Sequence, residues 1–165
     1  MNTFETEYDS IWDHCDYDLE PELIVLRGHL ISEQYIERFI SLFLLKGDCI
    51  LAKGRLSYAQ KLHLLDAFGI LGDDLIGCHR QLNKLRNKMA HKLEYTVTME
   101  DIDSIGHQMG NTYLEEKNKR GDDLKDLLCT VIGYICGGLA HYVVEYEAIS
   151  KKRRDALVEE CRTME

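Results

Sequence analysis

Apolar residues recur along this chain at intervals of three and four, the spacing of helices that bury one face. The clearest run, ELIVLRGHLISEQYIERFISLFLL, follows Pro21 and keeps the helical period to about Leu45. Pro21, preceded by the acids Asp18 and Glu20, suits a first helical turn, where its missing N–H costs nothing. KGDCILAKGRLS (46–57) reads as a loop that ends in Ser57, the cap of a short helix through Phe68. GILGDD then breaks the chain and supplies acids to open a helix over about 74–94. TMED (98–101) has the form of a capping box and predicts a helix to about Lys119, and RGDD (120–123) turns the chain into a long helix from about Asp122 towards residue 160. No strand alternation and no internal repeat is evident. The pattern predicts an all-α bundle of four to five helices with a long C-terminal helix, residues 21–165 forming one domain. Residues 1–20 form an acidic N-terminal arm whose order the sequence leaves open.

The least polar stretch, CTVIGYICGGLAHYVV (129–144), spans 16 residues, contains His141 and is bracketed by charge. It is short for a membrane span and reads as a buried helix, so no membrane partner is expected. Gly133, Gly137, Gly138 and Ala140 give it a small-residue face, which suits either close core packing or a dimer seam. KKRR (151–154) reads as a solvated charged turn or a contact to a nucleic-acid backbone. The six cysteines (15, 49, 78, 129, 136 and 161) form no C-x-x-C pair and lack zinc-ligand spacing. They read as reduced thiols, with no metal or other cofactor expected. MNTFETEYDS has neither a basic n-region nor an apolar run, so a cytoplasmic protein is expected.

At 165 residues, with 45% hydrophobic and 30% charged positions, the chain can bury a core without disulfides. Its net charge of −9 would argue against a nucleic-acid partner, because phosphate binding is mainly electrostatic. The distribution changes that picture. Eight acids and no Lys or Arg fall in residues 1–23, which leaves the remainder at −1. From Leu75 to Leu93 there are five bases, Arg80, Lys84, Arg86, Lys88 and Lys92, and no acid. A basic stripe therefore sits in an acidic protein, either as a solvated helix face or as a nucleic-acid footprint.

That stripe lies on the helix containing LNKLRNKMAH (82–91). At about 100° per residue, Leu82, Leu85, Met89 and Leu93 share the face expected to pack into the bundle. His91 falls about 180° from Leu82, and Asn87, four residues before it, is its neighbour. Arg86 lies about 40° from Leu82, at the edge of the buried face. Singly these are ordinary surface residues. Together they combine a group that titrates near neutral pH, a guanidinium suited to phosphate and an amide that can orient either. On the first long helix, Glu33 and Glu37 share a face with Leu26, Leu30, Ile40 and Leu44. A carboxylate there needs a cation, and Arg86 is the economical candidate, with Arg38 and Arg27 as alternatives and open, wet acids as the bland reading.

RNKMAH (86–91) resembles the R-x4-6-H motif of the HEPN superfamily, including the polar residue that often follows its Arg. The order of LRGHLISEQYIERFISLFL (26–44), LSYAQKLHLLDAFGIL (56–71) and LNKLRNKMAHKLE (82–94) is similar to that in small bacterial HEPN proteins and in the related mannitol-operon-repressor-like group. The resemblance covers roughly residues 21–95. It implies a HEPN-like helical bundle, usually a homodimer, in which two motif helices meet to form a composite site. Many members are metal-independent endoribonucleases of toxin–antitoxin or phage-defence systems. The implied catalytic residues are Arg86, Asn87 and His91, with Arg80, Lys84, Lys88 and Lys92 gripping RNA, tRNA or mRNA; the support of Arg86 by Glu33 or Glu37 rests on the helix-face reading above. A cognate antitoxin or another defence-system partner is implied as well. One toxin branch has a Tyr two residues after the His, where this chain has Leu93 and its nearest Tyr is Tyr95, so modification at that point is not expected. Other members are non-catalytic regulators that act by protein or nucleic-acid binding, and a purely structural helical partner is the third possibility.

Overall fold

The computed structural model describes residues 3–15 and 17–163, with side chains over 4–15 and 17–150. Asp16, the KKRR side chains (151–154) and that of Cys161 lie outside them. Among the described residues there are eight α-helices and no strand: α1 (Thr3–His14), α2 (Pro21–Phe43), α3 (Gly47–Gly54), α4 (Tyr58–Asp66), α5 (Asp73–His91), α6 (Met99–Gly106), α7 (Asn111–Arg120) and α8 (Leu124–Thr163), with a 3-10 turn at His107–Met109. The all-α expectation holds. The helix count rises because α1 and α3 form in segments read as arm and loop, and because the helix predicted over 98–119 is split at Gly110. Gly110 has φ 63°, a left-handed backbone that ends one helix and starts the next.

The core is organised around α2 and α8, which pack along most of their shared length. Ile24, Val25, Ile36, Phe39 and Ile40 of α2 meet Leu128, Val131, Ile132, Ile135, Leu139 and Val143 of α8, all fully buried. Gly28 permits the close crossing: a Cβ there would lie 2.7 Å from Ile132 Cδ1. The Cys136 thiol reaches the Gly28 carbonyl across the same gap, at 3.5 Å. The segment Leu124–Ser150 is long and apolar enough to cross a membrane by composition, but two-thirds of its most apolar stretch is buried within the protein.

The acidic N-terminal segment is not a loose arm. Phe4, Tyr8, Ile11 and Cys15 recur at helical spacing and face inward, and Ile11 and Cys15 are fully buried. This helix and Leu75 of α5 together fill the small-residue face of α8. A Cβ at Gly133 would meet Trp12 at 3.0 Å, one at Gly137 would meet Tyr8 at 2.9 Å, and one at Gly138 would meet Leu75 at 3.1 Å. The glycines are therefore core packing. Glu7 closes the joint, accepting hydrogen bonds from Tyr35 at 2.8 Å and from Arg38 at 3.0 Å, while Arg38 also reaches Glu147.

The predicted caps are present. Ser57 and Gln60 form a complete capping box at α4, and Thr98 and Asp101 form another at α6.

Candidate functional site

Asp73 and Asp74 stand in the first turn of α5, complementing its positive end, and Tyr134 donates to Asp74 at 2.6 Å. Leu75, Ile76, Cys78, His79, Leu82 and Leu85 form the buried face. The predicted continuation of that face to Leu93 fails. The helix ends at His91, Lys92 is extended, and Leu93 is 103% exposed. Residues 92–98 then form a strap, fixed mainly by side chains outside α5. The Val97 N–H donates to Glu22 at 2.7 Å, Val97 is buried, and Asp101 accepts from the N–H and hydroxyl of Thr98, from Tyr95 and from Lys88.

Arg86 and Asn87 are exposed and line one cleft of about 370 Å³ between α2, α4 and α5, together with His29, Glu33, Ser57, Tyr58, Ala59 and Asn83. The Arg86 guanidinium donates to Asn87 Oδ1 at 3.4 Å. His91 is exposed on the last residue of α5, one turn beyond Asn87 and outside the cleft lining. Among the described residues, no carboxylate pairs with Arg86 or with His91.

The expected support of Arg86 by Glu33 or Glu37 does not form. Both acids bind Lys61 of α4 instead, at 2.6 Å and 2.5 Å. Lys61 is nearly buried, and the two carboxylates outweigh the effect of burial and hold its pKa above the usual lysine value. The alternative cations are also engaged, Arg38 by Glu7 and Glu147, and Arg27 on the His14 carbonyl at 2.8 Å. Of the expected RNA-gripping bases, Arg80 pairs with Asp66 at 2.6 Å and Lys88 with Asp101 at 2.9 Å. Lys92 lies over the Tyr95 ring, 5.5 Å from its centroid, and Lys84 has no ion partner among the described residues.

Beneath the cleft runs a buried polar chain that helical periodicity alone did not reveal. His29 is stacked on Tyr58, with ring centroids 4.1 Å apart, and its Nε2 lies 3.2 Å from Asn83 Oδ1. Ser32 donates to the His29 carbonyl at 2.9 Å, leaving its oxygen to accept from the Tyr58 hydroxyl, also at 2.9 Å. The Tyr58 oxygen must then accept from His79 Nδ1, 2.8 Å away, which makes the Nδ1–H form of His79 the one that satisfies all three groups. His79 Nε2 is left as a buried lone pair without a partner among the described residues. Burial, helped by nearby His29, pushes the His79 pKa down to about 3. Burial also lowers that of His29, against the opposing pull of Asn83 and Glu33. The available signal was compositional: His29 and His79 both fall on the largely apolar buried faces of their helices.

Among the described residues no group of three His, Cys, Asp or Glu side chains is placed to hold a metal ion. No family model matches the chain, and neither a curated protein nor a solved structure matches it.

Proposed function

We propose that this protein is a metal-independent endoribonuclease of a toxin–antitoxin or phage-defence system, acting as a homodimer on RNA. The observation that carries the reading is the state of the motif side chains. Arg86 and Asn87 open onto one cleft with the guanidinium unclaimed by any carboxylate among the described residues, and His91 stands exposed at the end of the same helix. A guanidinium without an acid partner is available to a phosphate.

In this mechanism the 2′-OH of RNA attacks the adjacent phosphorus while His91 takes its proton, and the 5′-oxygen leaves with a proton from the partner subunit's His91. The bond to the 5′-oxygen breaks and a 2′,3′-cyclic phosphate forms. Arg86 stabilises charge on the phosphorane-like transition state, and Asn87 orients Arg86 through the bond between them. Single-stranded DNA, lacking the 2′-OH, is bound but not cut.

The test is incubation of the full chain with total RNA in excess chelator, beside Arg86→Ala and His91→Ala. The reading expects cleavage in the wild type that both variants lose, and identical behaviour of all three proteins refutes it. Light scattering at micromolar concentration tests the composite site, which a monomer would remove. A second reading, a non-catalytic HEPN-like regulator that binds protein or nucleic acid, draws on a different observation: Arg80 and Lys88 are already neutralised by Asp66 and Asp101. It expects binding without cleavage.

A further inference from the structure

Two asparagines and an arginine of α5, at positions 83, 86 and 87, line the cleft together, and the hydrogen bonds around them fix which end of each amide is free. His29 Nε2–H occupies Asn83 Oδ1, and Arg86 occupies Asn87 Oδ1. Among the described residues neither amide NH2 group has an acceptor, which leaves two donors beside a guanidinium. The other polar lining groups each have a partner within the protein. Glu33, the one carboxylate in the lining, is held by Lys61. The Ser57 hydroxyl serves the α4 cap, and the Tyr58 hydroxyl is engaged in the buried chain below. A cavity that sets two amide donors beside a guanidinium unpaired among the described residues, with its one carboxylate bound through one oxygen to a lysine, suits an anion with several acceptor oxygens.

We propose that this cleft is a phosphate subsite for the RNA strand, with the Asn83 amide as its principal donor, Arg86 reaching between it and the reacting phosphate, and His29 as a positioning residue that holds the Asn83 amide in the donating orientation. The proposal rests on the nuclease reading for the identity of the strand, though the phosphate contact itself does not require cleavage. Helix rise separates the site from the reacting bond. Asn83 and His91 are eight residues apart, about 12 Å along the axis at 1.5 Å per residue. Asn83 therefore holds a phosphate neighbouring the one that His91 acts on. Burial keeps His29 neutral at physiological pH, so it orients the amide without adding charge to the cleft. Its stacking on Tyr58 fixes the ring plane.

The test titrates the full chain with inorganic phosphate and, separately, with a single-stranded oligodeoxynucleotide that supplies the same diester phosphates but no 2′-OH. Side-chain amide signals in proton–nitrogen NMR report contact, and calorimetry reports affinity. The expected result is displacement of the Asn83 amide signals by both probes and a loss of affinity of about tenfold or more in Asn83→Asp, which turns a donor into a repelling carboxylate. His29→Phe, which keeps the stack but removes the donor, should lose a similar factor, and His29→Gln, which restores an N–H donor, should recover most of it. Recovery by Gln is a readout that a purely structural role for His29 would not produce. Unmoved Asn83 signals, or equal affinity in Asn83→Asp with unchanged circular dichroism, overturn the subsite. Phosphate binding that depends on Asn83, in a protein that cuts no RNA, keeps the subsite and removes the nuclease reading. RNA cleavage that depends on His91 without any effect of Asn83→Asp removes the subsite alone.

Discussion

His79 makes the stability of this fold sensitive to mild acid. Its ring is fully buried, its Nε2 has no partner among the described residues, and burial holds its folded-state pKa near 3 against an ordinary value of 6.5. Below pH 6.5 the unfolded chain takes up a proton that the folded chain refuses, so stability is fully present above that pH and falls as pH drops towards 3. At pH 5 the unfolded form gains RT ln(1 + 10^1.5), about 2 kcal/mol, from this single group. Any folded-state value below about 4 gives the same figure, so the result tests burial itself. The assay is urea unfolding at pH 7.5 and pH 5, followed by the fluorescence of Trp12, the only tryptophan, which packs on Gly133. The comparison is His79→Gln, which does not titrate and offers Tyr58 a polar partner. The variant starts less stable, and the gap to wild type narrows by about 2 kcal/mol between the two pH values. His29 shifts in the same direction but is present in both proteins, so its contribution cancels. A gap that stays constant within about 0.5 kcal/mol would mean that His79 is hydrated or protonated in the folded state, and the buried chain would not be the one described.

Three further outcomes rest on the packing and the ion pairs. Gly28→Ala places a methyl group 2.7 Å from Ile132 and should destabilise by about 1–3 kcal/mol despite the helix preference of Ala. Combining it with Ile132→Val should recover part of the loss, and strictly additive effects in a double-mutant cycle would contradict direct contact. Lys61→Met keeps the aliphatic stem but leaves Glu33 and Glu37 without their cation; thermal melts should show a loss of about 1–2 kcal/mol, discounted for the partial exposure of both acids. Asp101→Ala removes the acceptor of four hydrogen bonds at the start of α6 and should cost about 2–3 kcal/mol by denaturant titration. In the wild type those bonds outweigh burial and hold the Asp101 carboxyl below its ordinary range, so this stability is present above that range and is lost as pH falls through the lowered value.

What could be seen in the sequence is what local chemistry decides. Pro21 opens α2, Ser57 with Gln60 caps α4, and Thr98 with Asp101 caps α6, because each signal is complete within a few residues. The exposure of Asn87 and His91 follows in the same way from helical geometry, whereas Arg86, placed by that geometry at the edge of the buried face, stands exposed. The misreadings concern partners distant along the chain. Eight acids mask the inward spacing of Phe4, Tyr8, Ile11 and Cys15, whose burial depends on the glycine face of α8 more than a hundred residues away. Glu33 and Glu37 choose Lys61 over Arg86 because α4 lies against their face of α2, a placement that no periodicity encodes. Leu93 fits the apolar stripe yet stands in solvent, because Glu22, on another helix, captures the strap beyond His91.

That strap also governs how the protein can change over time. The end of α5 is set by Lys88 on Asp101 and by Glu22 on Val97, so the direction in which His91 projects is decided by residues outside the cleft, one of them joined to the strap across 75 positions of chain. Substitutions at Glu22, Lys88 and Asp101 should therefore be tolerated in combination more readily than singly. In a lineage that keeps His91 in use these three sites are expected to vary together, whereas one that has abandoned it would be free to let them drift apart.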